Sequence, residues 1–237
     1  MSKKRTKHTT KRKGKGFWDK EYSDAENLSL SLNPSVDLQK FLRWLDREFD
    51  DSNAIDTVLD LGCGNGRNLI YLAKEYGVRG FGIDISTEAV EQAKKKAEGL
   101  HLEFHEQSIA EPIPTEDESY SLVLDMMTSH FLNESQRTQL LKEINRVLKP
   151  GGWYFFKTFL LDEDKHAARL LRDYPADESG SYIHPKIAVA EHVFTEQEIR
   201  DLLEDDFIIH RVRKSHKHLA RGRAAKRRSI SIYAQKK

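Results

Sequence analysis

The sequence predicts an α/β fold built on one mostly parallel, seven-stranded sheet with helices on both faces. Two observations carry this. Short apolar strand-like runs alternate with amphipathic helical patterns from about residue 57 to 159, as repeated β-α units do. A glycine-rich turn, Gly62-Cys63-Gly64-Asn65-Gly66, follows the first of those strands and opens a helix, the context of a ligand-binding loop.

Taken in order, residues 1–16 are Lys-, Arg-, Thr- and Gly-rich without apolar periodicity and read as a disordered basic arm. Residues 17–50 read as an N-terminal helical cap. Within it, apolar residues at 38, 41, 42, 45 and 49 mark one helix face, with Ser35 as cap. Residues 51–237 form the ligand-binding domain. Strands are expected at 57–61, 80–83, 101–105, 120–124 and 152–159, and helices at 68–76, 87–98 and 134–148. Lys149-Pro150-Gly151-Gly152 stops the last helix and turns the chain. Residues 173–192 interrupt the rhythm with prolines, histidines and tyrosines and read as an insertion over the site. Thr195 and Glu198 form a capping pattern for a helix to about residue 204. Strands at 207–213 and 229–233 close the chain, joined by a basic loop, 214–228.

A chain of 237 residues suits one domain with extensions, and 38% hydrophobic with 32% charged residues suits a folded, water-exposed protein. There is no apolar run near the ~18 residues of a membrane span, and no membrane partner is expected. The basic start lacks the apolar stretch of a secretory signal. Cys63 is the only cysteine, so no internal disulfide forms and a reducing, cytoplasmic location is expected, with a nuclear one left open. The net charge of +1 conceals segregation along the chain. Eight Lys or Arg fall in 1–16 and eleven in 207–237, with no acid in either, leaving 20 basic and 38 acidic residues between. Such ends suit an anionic partner, RNA or a ribonucleoprotein, or serve only solubility.

The glycine spacing selects the ligand. A dinucleotide loop wants its third glycine at 67, where Arg67 stands, and Asp60 puts a negative group where a pyrophosphate is disfavoured. An acid there suits a ligand with an ammonium group.

The stretch 57–159 resembles the class I S-adenosylmethionine-dependent methyltransferases, whose fold is Rossmann-like with an antiparallel last strand. Their first motif, acid-x-Gly-x-Gly-x-Gly, is matched by Asp60, Gly62, Gly64 and Gly66. Their ribose-binding acid at the end of strand two is matched by Asp84 in Gly82-Ile83-Asp84-Ile85-Ser86. Glu143 to Gly152 is similar to their helix and turn before strand five. The family often places an acid after strand three for the adenine; here Gln107-Ser108-Ile109-Ala110 has Ser108 in its place. The resemblance implies S-adenosylmethionine as cofactor, held by Asp60, Gly62, Gly64, Gly66, Asp84, Ile85, Ser108 and Ile109, with no metal.

Ligands of open α/β sheets sit beyond the strands' carboxyl ends, which nominates Asp125, His130 and Lys157 as catalytic candidates. His130 falls where the family often has a histidine for packing. Asp125 and Lys157 resemble part of the Lys-Asp-Lys-Glu set of RNA ribose 2′-O-methyltransferases, with Lys157 as base and Ser229 or Ser231 in place of the glutamate; pairing of Lys157 with an acid is the alternative. The Asn-Pro-Pro-aromatic loop of base amino-methyltransferases is absent, and Cys63 lies in the cofactor loop, away from carbon-5 chemistry. The basic loop, with Arg221, Arg223, Arg227 and Arg228, makes RNA or an RNA-associated molecule the leading acceptor. A small-molecule acceptor is the alternative, since Trp18 and Tyr22 form a Trp-x-x-x-Tyr start resembling that group. A noncatalytic RNA-binding module is a third reading, disfavoured by Asp60 and Asp84.

Overall fold

The computed structural model describes residues 11–24, 30–49, 55–215, 219–220, 223–224 and 227–237. In chain order its elements are α1 (Lys11–Ser23), α2 (Val36–Phe49), β1 (Thr57–Leu61), α3 (Arg67–Tyr76), β2 (Arg79–Asp84), α4 (Thr87–Lys96), β3 (Leu102–Glu106), β4 (Tyr120–Met126), α5 (Glu134–Val147), β5 (Leu148–Phe159), α6 (Lys165–Asp173), β6 (Ser181–Ile183), β7 (Ala190–His192), α7 (Glu196–Leu203), β8 (Phe207–Lys214), β9 (Leu219–Ala220), β10 (Arg223–Ala224) and β11 (Ser229–Lys236). Seven strands form one sheet in the order β3-β2-β1-β4-β5-β11-β8. β11 is antiparallel to both β5 and β8, and the other pairings are parallel.

Strand alternation divides the core. Val58, Leu122, Leu124 and Phe155 point to one face, where α2, α3 and α4 supply Leu38, Phe41, Leu45, Leu69 and Ala93. Leu59, Leu61, Val123, Tyr154 and Phe156 point to the other, covered by Leu140 and Ile144 of α5 and Ile199 of α7. Phe41 stacks on Phe155 with ring centroids 5.1 Å apart and meets Tyr233 edge-on at 5.0 Å, anchoring α2 across β5 and β11. Helix starts are capped as their sequences foretell: the Ser86 hydroxyl accepts from the Ala89 amide, and Thr195 and Glu198 complete a capping box.

Several expectations are corrected. Lys11 to Gly16 belongs to α1, so the arm does not extend to residue 16; residues 1–10 lie outside the described residues. Two glycines give this segment poor intrinsic helicity, and tertiary contacts override it. The Lys15 ammonium meets Glu106 and, at 2.7 Å, the Thr87 hydroxyl, while Asp19 accepts from the Ser86 hydroxyl at 2.8 Å. Strand five begins at Leu148, not Gly152, because the Lys-Pro-Gly-Gly segment is a bulge paired between β4 residues Tyr120 and Leu122. The departure from β-α rhythm starts at α6, a helix with only Ala167 and Leu170 buried, and continues into the β6–β7 hairpin.

Candidate active site

β1, β2 and β4 end side by side, with Leu61 in register with both Ile83 and Asp125. A cleft of about 660 Å³ opens above these ends. Its floor is the loop Gly62–Asn65 with Asp60 beneath it, and its sides are Asp84, Ile85, Gln107, Ser108 and Ile109 on one flank and Met126, Met127 and Thr128 on the other. Phe131, Leu132, Val189 and Ala190 extend the second flank outward. Trp18 and Tyr22, one turn apart on α1, roof it. Trp18 meets Phe131 edge-to-face at 5.4 Å, so the roof touches the outer wall.

Asp60 is buried, and its Oδ2 has no hydrogen-bond partner. Burial, then the neighbouring Asp84 charge, push its carboxyl up to about 7, with Arg67 opposing. Asp84 is held by two backbone donors, the Gly64 amide on Oδ2 at 2.8 Å and the Ser86 amide on Oδ1 at 2.9 Å. Each oxygen keeps a second acceptor position. Burial raises its carboxyl too.

The loop glycines have separate reasons. A Cβ at Gly64, where φ is +55°, would collide with the Tyr22 hydroxyl that lies against it. Gly66 is not among the lining residues; a Cβ there would press on Ala93 and the Phe104 ring 3.0 Å away, so it serves the packing of α3 on α4 and β3. Of the residues expected at the cofactor, Asp60, Gly62, Gly64, Asp84, Ile85, Ser108 and Ile109 line the cleft, and Gly66 alone does not.

The three catalytic candidates are likewise not among the lining residues. Asp125 is fully buried, accepting from the Ser129 amide at 3.1 Å and the Tyr154 hydroxyl at 3.2 Å. His130 is fully buried between Phe131 and Phe159, with neither ring nitrogen partnered. Burial pushes its imidazole down to about 3, so it is neutral. Lys157 pairs with Asp37 of α2 at 2.6 Å. Sequence reasoning missed Met127, Thr128, Phe131, Leu132, Val189 and Ala190, which lie in a turn, a short 3-10 segment and a hairpin that carry no periodic signal. No group of three or more His, Cys, Asp or Glu able to hold a metal occurs among the described residues.

The residues at the floor fit S-adenosylmethionine: an orphaned buried carboxylate for an ammonium, a two-oxygen acceptor for vicinal hydroxyls, and a glycine loop between them. A methyltransferase-domain family model matches residues 58–152. A solved S-adenosylmethionine-dependent methyltransferase of Methanosarcina mazei is 30% identical, with a TM-score of 0.64, over 77% of this chain and 92% of that one. The chain belongs to the class I S-adenosylmethionine-dependent methyltransferases. Curated relatives of this methyltransferase include the 27-O-demethylrifamycin SV methyltransferase of Amycolatopsis mediterranei, 30% identical over 62% of this chain and 50% of that protein. The fatty-acid O-methyltransferase of Mycolicibacterium smegmatis is 30% identical over 42% of this chain and 35% of that protein. The methyltransferase thus spans half or less of the length of these two.

The basic loop is tied down where it is described. Lys214 pairs with Glu196 at 2.6 Å, Arg227 pairs with buried Glu191 and lies 3.3 Å over the Phe159 ring, and Arg228 pairs with Glu163. Lys217, Arg221 and Lys226 lie outside the described residues, as do the side chains of Arg223 and its neighbours. No helix among the described residues is long and apolar enough to cross a membrane.

Proposed function

We propose that the protein transfers the methyl group of S-adenosylmethionine to a small, largely apolar acceptor. The observation that carries this is the outer half of the cleft. There Trp18, Met127, Phe131, Leu132, Val189 and Ala190 make apolar walls under the α1 roof, with Asn133 and Gln136 as polar groups beside them, within a volume ordinary for small-molecule sites. The activities named for the two relatives, on a rifamycin and on fatty acids, support the same class.

The bound cofactor supplies an electrophilic methyl group on a cationic sulfur. The chain supplies position: Asp60 takes the ammonium, Asp84 the ribose hydroxyls, and Ile85, Ser108 and Ile109 flank the adenine. The apolar wall opposite excludes water and orients the acceptor, and orientation alone can supply roughly 7–11 kcal/mol of a bimolecular barrier. Asp125, His130 and Lys157 are engaged behind that wall and do not act as general bases. The described cations of the basic loop, Lys214, Arg227 and Arg228, give an RNA acceptor no support, because each is paired with an acid of the fold.

The test is methyl transfer from radiolabelled S-adenosylmethionine to three pools: fatty acids, hydroxylated aromatic compounds, and total RNA. Label in either small-molecule pool and none in RNA is expected. Label entering RNA alone would overturn the reading.

A further inference from the structure

Met127 is strained. It lines the cleft immediately after β4 with φ at +67°, in the left-handed region that a long side chain enters only when its surroundings impose it. Its restraints come from both sides. Before it, its own amide donates to the Lys157 carbonyl of β5 at 2.8 Å, which fixes where β4 stops. After it, the Ser129 amide donates to Asp125 Oδ1 at 3.1 Å, pulling the chain back toward the strand it has just left. Asp125 is held from behind, where the Tyr154 hydroxyl of β5 donates to Oδ2 at 3.2 Å. Asp125 and Tyr154 are both buried, and each of the Asp125 oxygens has a partner.

The folded-back turn reaches the cofactor loop. The Thr128 side chain occupies the space a Cβ would take at Gly62, so the β4 turn and the β1 loop close on each other through a missing methyl. From Thr128 the Phe131 amide donates back to the Thr128 carbonyl at 3.1 Å, and the 3-10 segment then delivers Phe131 and Leu132 to the outer wall. The part of the acceptor-side wall from Met127 to Leu132 thus hangs from one left-handed residue.

We propose that Asp125 is a positioning residue for methyl transfer: with Tyr154 it holds the Met127 turn and so sets Met127, Thr128 and Phe131 against the glycine loop. The proposal rests on the acceptor lying against this wall. Ionised Asp125 in a dry site is an expense that a packed apolar residue would avoid, and burial does push its carboxyl up to about 6. The group is explained if it counters the strain next to it. Glycine at 127 needs no such restraint, because it enters the left-handed region freely.

That difference gives the experiment, a double-mutant cycle between residues 125 and 127 on the full chain. Asp125→Asn and Tyr154→Phe are made in the natural background and in Met127→Gly. Two readouts are taken: hydrogen exchange of the Ser129 amide, which needs no acceptor, and kcat and KM with an acceptor labelled in the three-pool assay. In the natural background, Asp125→Asn should speed Ser129 exchange at least 10-fold. It should lower kcat about 10- to 100-fold, leaving KM for S-adenosylmethionine within about threefold. In Met127→Gly the same change should cost less than threefold in kcat. Tyr154→Phe should follow the same pattern with smaller effects. Equal losses in both backgrounds, or a loss confined to KM for the cofactor, would overturn the proposal. If no pool is labelled, the acceptor reading fails on its own, and unchanged Ser129 exchange would still sink the clamp separately.

Discussion

Cofactor affinity should fall steeply as the pH drops below 7, and Asp60 should be the reason. In the cofactor-free protein its carboxyl titrates near 7, because burial and the Asp84 charge both disfavour the ionised form and Oδ2 has no donor. A bound ammonium demands the ionised form. Binding above pH 7 therefore needs no proton release, whereas binding at pH 6 or 5 requires losing a proton from a group about 10% or 1% ionised. The affinity should drop roughly 10-fold at pH 6 and 100-fold at pH 5, about 1.4 kcal/mol per unit. Asp84 is shifted in the same direction and can steepen the fall. Asp60→Asn isolates the first term: its affinity should be weaker at pH 8, nearly level down to pH 6, and close to that of the unaltered protein at pH 5. The raised carboxyl has an opposite effect on the empty fold, contributing stability that is present below about pH 4 and lost as the pH rises through 7. Calorimetric titration with S-adenosylhomocysteine, which carries the same amino-acid group, between pH 5 and 8 measures the slope. A flat profile for the unaltered protein, or the same slope in Asp60→Asn, would refute the ammonium assignment.

Gly64→Ala should cost about 1–3 kcal/mol from the left-handed backbone alone, and further from the Tyr22 collision. Adding Tyr22→Phe should return part of that loss in a thermal melt. Lys157→Met should lower stability by about 1 kcal/mol through the lost Asp37 pair and leave kcat within a few-fold. A hundredfold fall in kcat at unchanged fold would restore Lys157 as a base. His130→Leu should be neutral or stabilising in chemical denaturation, since neither nitrogen has a partner to lose. A loss of turnover with an intact fold would show that the imidazole acts on the acceptor.

The strands and the floor of the cleft were legible because their signals are local. Thr57–Leu61 is a buried run ending in an acid and a glycine turn, and Asp84 closes the next strand. The three catalytic candidates do not line the cleft, and the reason is geometric. Being near the carboxyl end of a strand does not say which face a side chain takes: Lys157 points toward α2, where Asp37 waits 120 residues earlier in the chain. Asp125 points beneath its own turn. Gly66 satisfied a motif yet answers to Phe104 and Ala93, a contact no spacing reveals. Charge counting along the sequence is likewise blind to pairing in space. Basic and acidic segments far apart in sequence are neighbours in space, so Arg227 finds Glu191 and Lys214 finds Glu196. α1 was half hidden because Gly14 and Gly16 argue against a helix that its contacts with α4, β3, Phe131 and the glycine loop stabilise.

The place of β11 has a consequence for how the chain is made. Ile230, Ile232, Tyr233 and Ala234 are wholly buried and lie between β5 and β8, so a strand made after every other described strand is an interior one. On the ribosome, β5 can pair with β4 long before its other edge is covered, and β8 has no neighbour at all. At about 5–20 residues per second, the stretch from Phe159 to Lys236 leaves that edge open for roughly 4–15 s. An exposed strand edge bearing Tyr154, Phe155 and Phe156 is a template for pairing with other nascent chains. Yield in cells should therefore depend on translation speed and chaperone supply over the stretch from Phe159 to Lys236, even for variants whose finished fold is as stable as the original.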